Sequence, residues 1–366
     1  MSNDTIRTYD GPAGGWGALK SVARHLSEQK IAISGAKTLL KANQPDGFDC
    51  PGCAWPDRDH TSTFEFCENG AKAVAAEATK FRAGPELFAQ YTVTQLAEYS
   101  DYWLEQQGRL TTPMRYDAAT DHYVPVTWDE AFALIAGHLN ALPAPDDAIF
   151  YTSGRTSNEA AFLYQLFVRE YGTNNFPDCS NMCHESSGTA LIDSIGIGKG
   201  SVTVEDLILS DLILIAGQNP GTNHPRMLSI LEKAKANGAK IIAINPLPEA
   251  GLIRFKDPQK VHGVVGDGVP IADEFVQIRI GGDMALFAGL GRLLFEAQDA
   301  AGQDVQIIDR DFIAEHTSGF ADYERQTREV DLDTVLDATG IERAQLDRVA
   351  HMMASRSASS SAGRWA

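Results

Sequence analysis

The chain has five cysteines in 366 residues, and three of them, Cys50, Cys53 and Cys67, fall in the stretch CPGCAWPDRDHTSTFEFCENG at 50–70. The other two, Cys179 and Cys183, form a second close pair. Thiols gathered in this way, with none scattered through the apolar runs, point to metal binding or redox chemistry more than to disulfides or small core hydrophobes. The C-x2-C pair puts two thiolates on one tight turn, which Pro51 and Gly52 suit, and Cys67 brings a third sulfur. Tetrahedral iron or zinc takes a fourth ligand. With Asp57, in the spacing C-x2-C-x3-D, or with water, the site reads as iron–sulfur. With His60, C-x2-C-x6-H-x6-C suits zinc. Reduced, unligated thiols in a loop remain the plain alternative for Cys50 and Cys53.

At the second pair, Cys183 stands next to His184 and Glu185. It suits a nucleophile or a metal ligand, with His184 moving a proton. Cys179 reads as a buried structural thiol. A third group of residues sits where two short apolar strands end. Gly217, Gln218, Asn219, Pro220, Thr222, Asn223 and His224 follow LILIA, and Asn245 and Pro246 follow KIIAI. Open parallel sheets bind ligands at such strand ends. The G-x-G-x-x-G fingerprint of nicotinamide and flavin sites is absent, but these side chains can hydrogen-bond the phosphates, ribose or base edge of a nucleotide. Asn and Pro are also ordinary strand-ending turn residues.

The elements that must position these groups are short strands and helices in alternation. A helical stretch around 16–26 lies in a Gly-rich lead-in. AKAVAAEATKF at 71–81 is strongly helical and places Cys67 just before a helix N-terminus, whose N–H groups stabilise thiolates and sulfides. Lys72 reads as a solvated lysine. Two short strands around a turn are predicted within 109–131. A helix follows at 129–142, with Thr127 and Glu130 as the two halves of a capping box. A buried strand is expected at 148–152, a helix at 159–171, and a loop dense in functional groups at 173–188. Strand LILIA, helix 224–237 and strand KIIAI form a unit that predicts a parallel α/β sheet. A strand at 275–280 and helices at 283–296 and 343–353 complete the pattern. The tail SRSASSSAGRWA has no core-forming pattern.

Composition bounds the function. With 43% hydrophobic and 22% charged residues the chain is globular. A net charge of −18 argues against nonspecific binding to nucleic acid or anionic membrane. No basic stretch followed by an apolar one opens the chain, and the apolar run around 211–217 is far too short to span a bilayer, so a cytoplasmic protein is expected.

In order, the runs C-x2-C with CENG, TPMRYDAATDHYVPVTWDEAFALIAGHL, GRTSNEAAFLYQLFVREYGTNNFPDCSNMCHESSG, SDLILIAGQNPGTNHP and GAKIIAINP resemble the molybdopterin-dependent oxidoreductases. Within them the likeness is to the formate-dehydrogenase-like alpha subunits and their bacterial relatives of unassigned substrate, over roughly 45–350. The resemblance implies an α/β, multi-domain chain, with a small N-terminal iron–sulfur domain followed by parallel-sheet α/β domains. Its parts would be a lead-in at 1–44, the cluster domain at 45–110, a first α/β segment at 111–178, an α/β domain with pterin-nucleotide loops at 179–340 and a tail at 341–366. Cys50, Cys53 and Cys67 match ligands of a [4Fe-4S] cluster. The family's usual third cysteine falls at Asp57, so either Asp57 ligates iron through oxygen or the cluster is incomplete. Cys183 matches the molybdenum ligand and His184 the adjacent proton-handling histidine. Residues 217–224 and 245–246 match loops that hold the nucleotide ends of a bis-molybdopterin guanine dinucleotide. The implied activity is a two-electron oxidation of a small, formate-like substrate, with electrons passed to the cluster and on to an electron-transfer partner. Family members continue beyond this length into a C-terminal β-barrel, which implies a truncated chain. The alternatives are a non-catalytic remnant, or a metal-stabilised binding module holding iron–sulfur or zinc.

Overall fold

The computed structural model describes residues 9, 11–53, 55–57, 62–153, 156–177, 179–302 and 305–359, with the backbone alone for 179–183 and 356–359. His60, the zinc-type candidate, lies outside the described residues. The chain divides into two compact units. One comprises Met1–His25, Lys37–Lys72 and Val202–Ala366, and the other Leu26–Ala36 and Ala73–Ser201.

The first unit is built on a parallel three-stranded sheet, β1 (Leu212–Ala216), β2 (Lys240–Ile244) and β3 (Glu274–Val276), with β2 in the middle. Leu212 pairs with Lys240 and Ile242 with Glu274, so the strand ends are aligned. LILIA and KIIAI are apolar on both alternating faces, and both faces are buried. Leu212, Ile242, Ile244 and Val276 pack with Leu286, Leu290, Val335 and Leu346 from the helices Asp283–Ala301, Leu332–Thr339 and Arg343–Ser359. Ile213, Ile215, Ile241 and Ala243 pack with Leu228 and Leu231 of the helix Pro225–Ala236 and with Leu252 and Ile271. Continuous apolar strands of this kind are stable only in a sheet covered on both sides, so this unit is α/β as expected.

Local signals account for the ends of these elements. The helix Pro225–Ala236 starts on a proline, which has no N–H to leave unsatisfied, and stops before Gly238 at φ +102°. Gly289 lets two helices touch, since a Cβ there would lie 2.8 Å from Val335 Cγ1. Asp273 ties three pieces together. It accepts hydrogen bonds from Lys235 Nζ at 2.7 Å, Lys240 Nζ at 2.9 Å and the Ile241 amide at 2.9 Å. Burial works to raise its pKa, but these donors outweigh it and hold the carboxyl below its ordinary value.

The second unit carries the expected hairpin, Met114–Asp117 against His122–Pro125, with Met114 opposite Pro125. The capping box is formed: the Glu130 amide donates to Thr127 Oγ1 at 3.2 Å and the Thr127 amide to Glu130 Oε2 at 2.8 Å, opening the helix Trp128–Asn140. The helix Asn158–Tyr171 is capped by Ser157 and ends at Gly172 with φ +106°. Two expectations fail. Among the described residues no strand forms over the expected 148–152, where Thr152 alone makes an isolated bridge. Phe150 instead donates its amide to Asn175 O at 2.9 Å, and Ala148, Phe150 and Val168 form a small core with Leu139, Tyr164 and Tyr171. Ala148 and Phe150 are buried while Ile149 and Tyr151 face outward, an alternation that periodicity cannot separate from a strand. The expected loop at 173–188 is helical from Cys179, in a helix that runs to Ile195 and is broken at His184 (φ −135°, ψ 18°). Residues 85–106 hold three short helices, Pro85–Gln90, Val93–Ala97 and Asp101–Gln106. Tyr99 stacks on Trp103 there at 3.9 Å between ring centroids. No helix among the described residues is long and apolar enough to cross a membrane.

Two outcomes follow from the sheet unit. Ile242 is fully buried at the centre of the sheet, so Ile242→Ala destabilises this unit by about 3 kcal/mol, read as a lowered urea midpoint. Asp273→Asn lowers the midpoint at pH 7. The difference from the parent shrinks as pH falls below about 4, because the parent loses this contribution as its carboxylate protonates through the depressed folded pKa. An undiminished difference at pH 3 would show that the ion pairs do not carry it.

Candidate functional site

The cysteine loop is assembled from both sides by a buried asparagine. Asn43, at φ +55°, accepts the Cys50 amide on Oδ1 at 2.9 Å and donates Nδ2 to Glu65 O at 2.6 Å. This sets the start of the C-x2-C turn beside the run that leads into Cys67. Cys50, Cys53 and Cys67 are half-buried, and none is in a disulfide. The helix that follows runs Glu68–Glu77 and begins directly after Cys67, three residues earlier than its pattern suggests. The amides of Gly52 and Gly70 donate to Cys50 Sγ and Cys67 Sγ, both at 3.4 Å. A Cβ on Gly70 would lie 2.7 Å from Cys50 Sγ, so only glycine lets the helix start close onto that sulfur. The Cys67 thiol is pushed up by burial. The Gly70 amide opposes that shift, while the charges of Cys53 and Cys50 add to it. Three thiolates this close repel one another unless a cation lies among them. Lys72 pairs with Glu68 at 2.7 Å and is partly exposed, as a surface lysine.

Asp57 does not point free. Its Oδ1 accepts from Arg226 Nη2 at 2.7 Å, and the same nitrogen reaches Glu65 Oε2 at 3.2 Å, while Nη1 donates to Trp55 O at 3.2 Å. Arg226 is largely buried and its Nε finds no partner in the structure. The loop between Cys53 and Cys67 is thus hooked to the first turn of the helix Pro225–Ala236. Trp55 packs against both the sheet-side cluster and the one around Ile208 and Ile230. Among the described residues no three His, Cys, Asp or Glu side chains stand in a metal-coordinating arrangement. Against a four-iron cluster, Cys50, Cys53 and Cys67 fit by donor type, with amide support at Cys50 and Cys67. At the fourth, Asp57 would have to exchange Arg226 for iron.

The strand-end residues are gathered at one edge of the sheet. The Gly217 amide bonds Ile244 O at 2.9 Å, which lays 217–224 beside 245–246. Gly217 takes φ +70°, open to glycine. Asn245 is buried and spans the two loops: Nδ2 donates to Gln218 O at 3.3 Å and to Asn219 Oδ1 at 3.1 Å, and Oδ1 accepts the Leu247 amide at 3.1 Å. Pro220 and Thr222 lie in the single turn Pro220–Asn223, and Pro246 O accepts from Gln277 Nε2 at 2.9 Å. His224 stands 6.2 Å from Trp55, ring centroid to ring centroid. Asn69, directly after Cys67 and Glu68, donates Nδ2 to Thr222 O at 2.5 Å. A cavity of about 780 Å³ opens at this junction, with Cys67, Asn69, Gly221, Arg226, Glu232 and Asp257 among its walls.

Cys183 and His184 belong to the other unit. The Cys183 side chain lies outside the described residues. His184 is exposed at the break in its helix, where the backbone leaves helical geometry.

Four residues at the sheet edge escaped the sequence reading: Asn43, Asn69, Arg226 and Glu249. Asn69 sits inside CENG and Arg226 directly after NHP, so position alone could have raised them. Nothing local marks Asn43 or the buried carboxylate of Glu249.

The family model described as "Molybdopterin oxidoreductase" matches residues 109–313. An uncharacterized oxidoreductase of Mycobacterium tuberculosis is 66% identical over 327 residues, covering 89% of this chain and 42% of its own length. Protein YdeP of Escherichia coli K12 is 48% identical over 348 residues, covering 94% of this chain and 46% of its own. Formate dehydrogenase H of Escherichia coli K12 is 31% identical over 251 residues, covering 67% of this chain and 32% of its own. The chain therefore spans less than half the length of these relatives. The matched region takes in the sheet, the strand-end loops and the helix carrying Cys183. The chain belongs to the molybdopterin oxidoreductase family.

Proposed function

We propose that the chain acts in a two-electron oxidation of a small, formate-like substrate, using a molybdenum bis-molybdopterin guanine dinucleotide and a [4Fe-4S] cluster. The observation that carries this reading is the direct link between the three-thiol loop and the strand-end loop, Asn69 to Thr222 at 2.5 Å, in a chain of this family. The 31% identity to formate dehydrogenase H supports the substrate class.

The roles fall on residues with suitable chemistry. Cys50, Cys53 and Cys67 hold the cluster, with amides of Gly52 and Gly70 supporting two of the sulfurs. Asp57 supplies the fourth ligand once released from Arg226. Gly217, Asn219, Pro220, Thr222, Asn223, His224, Asn245 and Pro246 form the cradle of the nucleotide ends. Their hydrogen-bonding groups suit phosphate, ribose and base edges, and Asn245 keeps the two loops in register. Cys183 is the thiolate ligand of molybdenum, and His184, exposed and adjacent, takes the proton released when the substrate C–H bond breaks. When bound, the metal centre accepts the electron pair and the cluster passes electrons on one at a time. An electron-transfer partner receives them.

Metal analysis and a visible spectrum on anaerobically purified protein test this assignment. About four irons per chain with broad sulfur-to-iron absorbance are expected, together with molybdenum. Cys67→Ser removes most of the iron. Zinc alone, or no metal, sinks the iron–sulfur assignment. Formate-dependent reduction of a viologen dye, lost in Cys183→Ala at unchanged iron content, tests the substrate and the molybdenum ligand together. Dye reduction that survives Cys183→Ala would remove Cys183 from that role.

A further inference from the structure

Thr222 lies between two side chains that no local pattern foretells. Its carbonyl accepts from Asn69 Nδ2 at 2.5 Å. Its amide donates to Asn219 O at 3.0 Å, and the turn beside it packs on Glu249, whose Oε2 accepts the Leu252 amide at 2.8 Å. Glu249 is 8% exposed. The packing around it leaves no room for substitution. A Cβ on Gly221 would lie 2.3 Å from Glu249 Oε1, and one on Gly251 would lie 2.9 Å from Oε2 and 2.9 Å from Gly221 Cα. A buried carboxylate is stable only where donors surround it, and here those donors are the backbone of the strand-end loop and of the turn after β2. The carboxylate is therefore a knot in the loop, fixed to the sheet. Asn69, two residues past Cys67, reaches from the cysteine loop onto that knot.

We propose that Asn69 and Glu249 are positioning residues that couple the two loops through the Thr222 peptide. Filling of the three-thiol site fixes Cys67 at the start of its helix, and the Asn69 amide carries that order to residues 219–223. Glu249 fixes the same loop to the sheet, packed against Gly221 and accepting the Leu252 amide. The inference rests on the reading of the thiols as a cluster site, and it adds that order in one loop sets order in the other.

Amide hydrogen exchange on the full chain reads this directly. The protein is compared metal-free and after anaerobic reconstitution with ferrous iron and sulfide. In the parent, reconstitution slows exchange across 219–223 by about fivefold, the size of one net hydrogen bond. Asn69→Asp keeps the shape but not the donor, and Asn69→Ala removes both. Each retains its iron and loses that slowing. Glu249→Gln speeds exchange at Gly221, Thr222 and Leu252 in both states. Iron-dependent slowing that persists in both Asn69 variants overturns the coupling, as does parent exchange that is the same with and without iron. If the parent takes up no iron, the cluster reading fails by itself. The relay is then judged in the metal-free protein, where Asn69→Ala must still speed exchange at 219–223, and unchanged exchange overturns it. Calorimetric titration with guanosine diphosphate reads the nucleotide assignment separately.

Discussion

Both faces of β1 and β2 must leave water at once. Leu212, Ile242 and Ile244 lie on one side, and Ile213, Ile215 and Ile241 on the other, and all of them are almost wholly buried. A strand with no polar side can be stable only between two layers. The helix Pro225–Ala236 covers one face, and three later helices cover the other. Once those layers close, the C-terminal ends of the strands are fixed side by side. The Gly217 amide finds Ile244 O, and the loops 217–224 and 245–246 leave the sheet from one edge. The place where a ligand can be held is thus a consequence of apolar burial far from any polar group.

The cysteine loop has no such sheet of its own. Among the described residues it is held by a few buried polar groups, each satisfied by the loop or by the sheet unit. Asn43 bonds both the Cys50 amide and Glu65 O, and Arg226 spans Trp55 O, Asp57 and Glu65. Breaking one partner of such a set leaves the other buried and unpaired, which costs more than the contact itself is worth. Order in the loop therefore depends on the helix that carries Arg226, and that helix depends on the sheet. Among the described residues the Nε of Arg226 has no hydrogen-bond partner.

Electrostatics favour a cation in the loop. The chain carries −18 overall. Burial and the neighbouring sulfurs keep the Cys67 thiol protonated to higher pH than a free thiol. A metal ion reverses both effects, because it supplies the charge that lets three thiolates sit together, and metal binding then adds to folding. Asp57 faces a choice between Arg226 and such an ion. Arg226 keeps Glu65 and Trp55 O in either case, so release of Asp57 does not dismantle the clamp.

Much of this was legible in the residues alone. Gathered thiols, LILIA and KIIAI with their Asn-Pro endings, the Thr127–Glu130 capping box and the helix stop at Gly238 are local signals, and each describes an interaction between chain neighbours. Where local signals conflict, the reading failed. The apolar run at 148–152 forms no strand among the described residues, with Ala148 and Phe150 packed in a small helical core, and the polar run from Cys179 to Gly188 is helical although its Ser and Asn residues suit a loop. The partners of buried polar groups were not legible at all. Asn69 and Thr222 are 153 residues apart and Arg226 and Glu65 are 161 apart, and no propensity or period links such pairs. Sequence by itself determined the strands LILIA and KIIAI, the hairpin, the capped helices and which residue types gather near Cys67, because those follow from neighbours along the chain. Tertiary structure alone decided that Asn69, Arg226 and Glu249 join the cysteine loop to the strand ends, because buried charges and amides take whichever partner the closed sheet brings within reach.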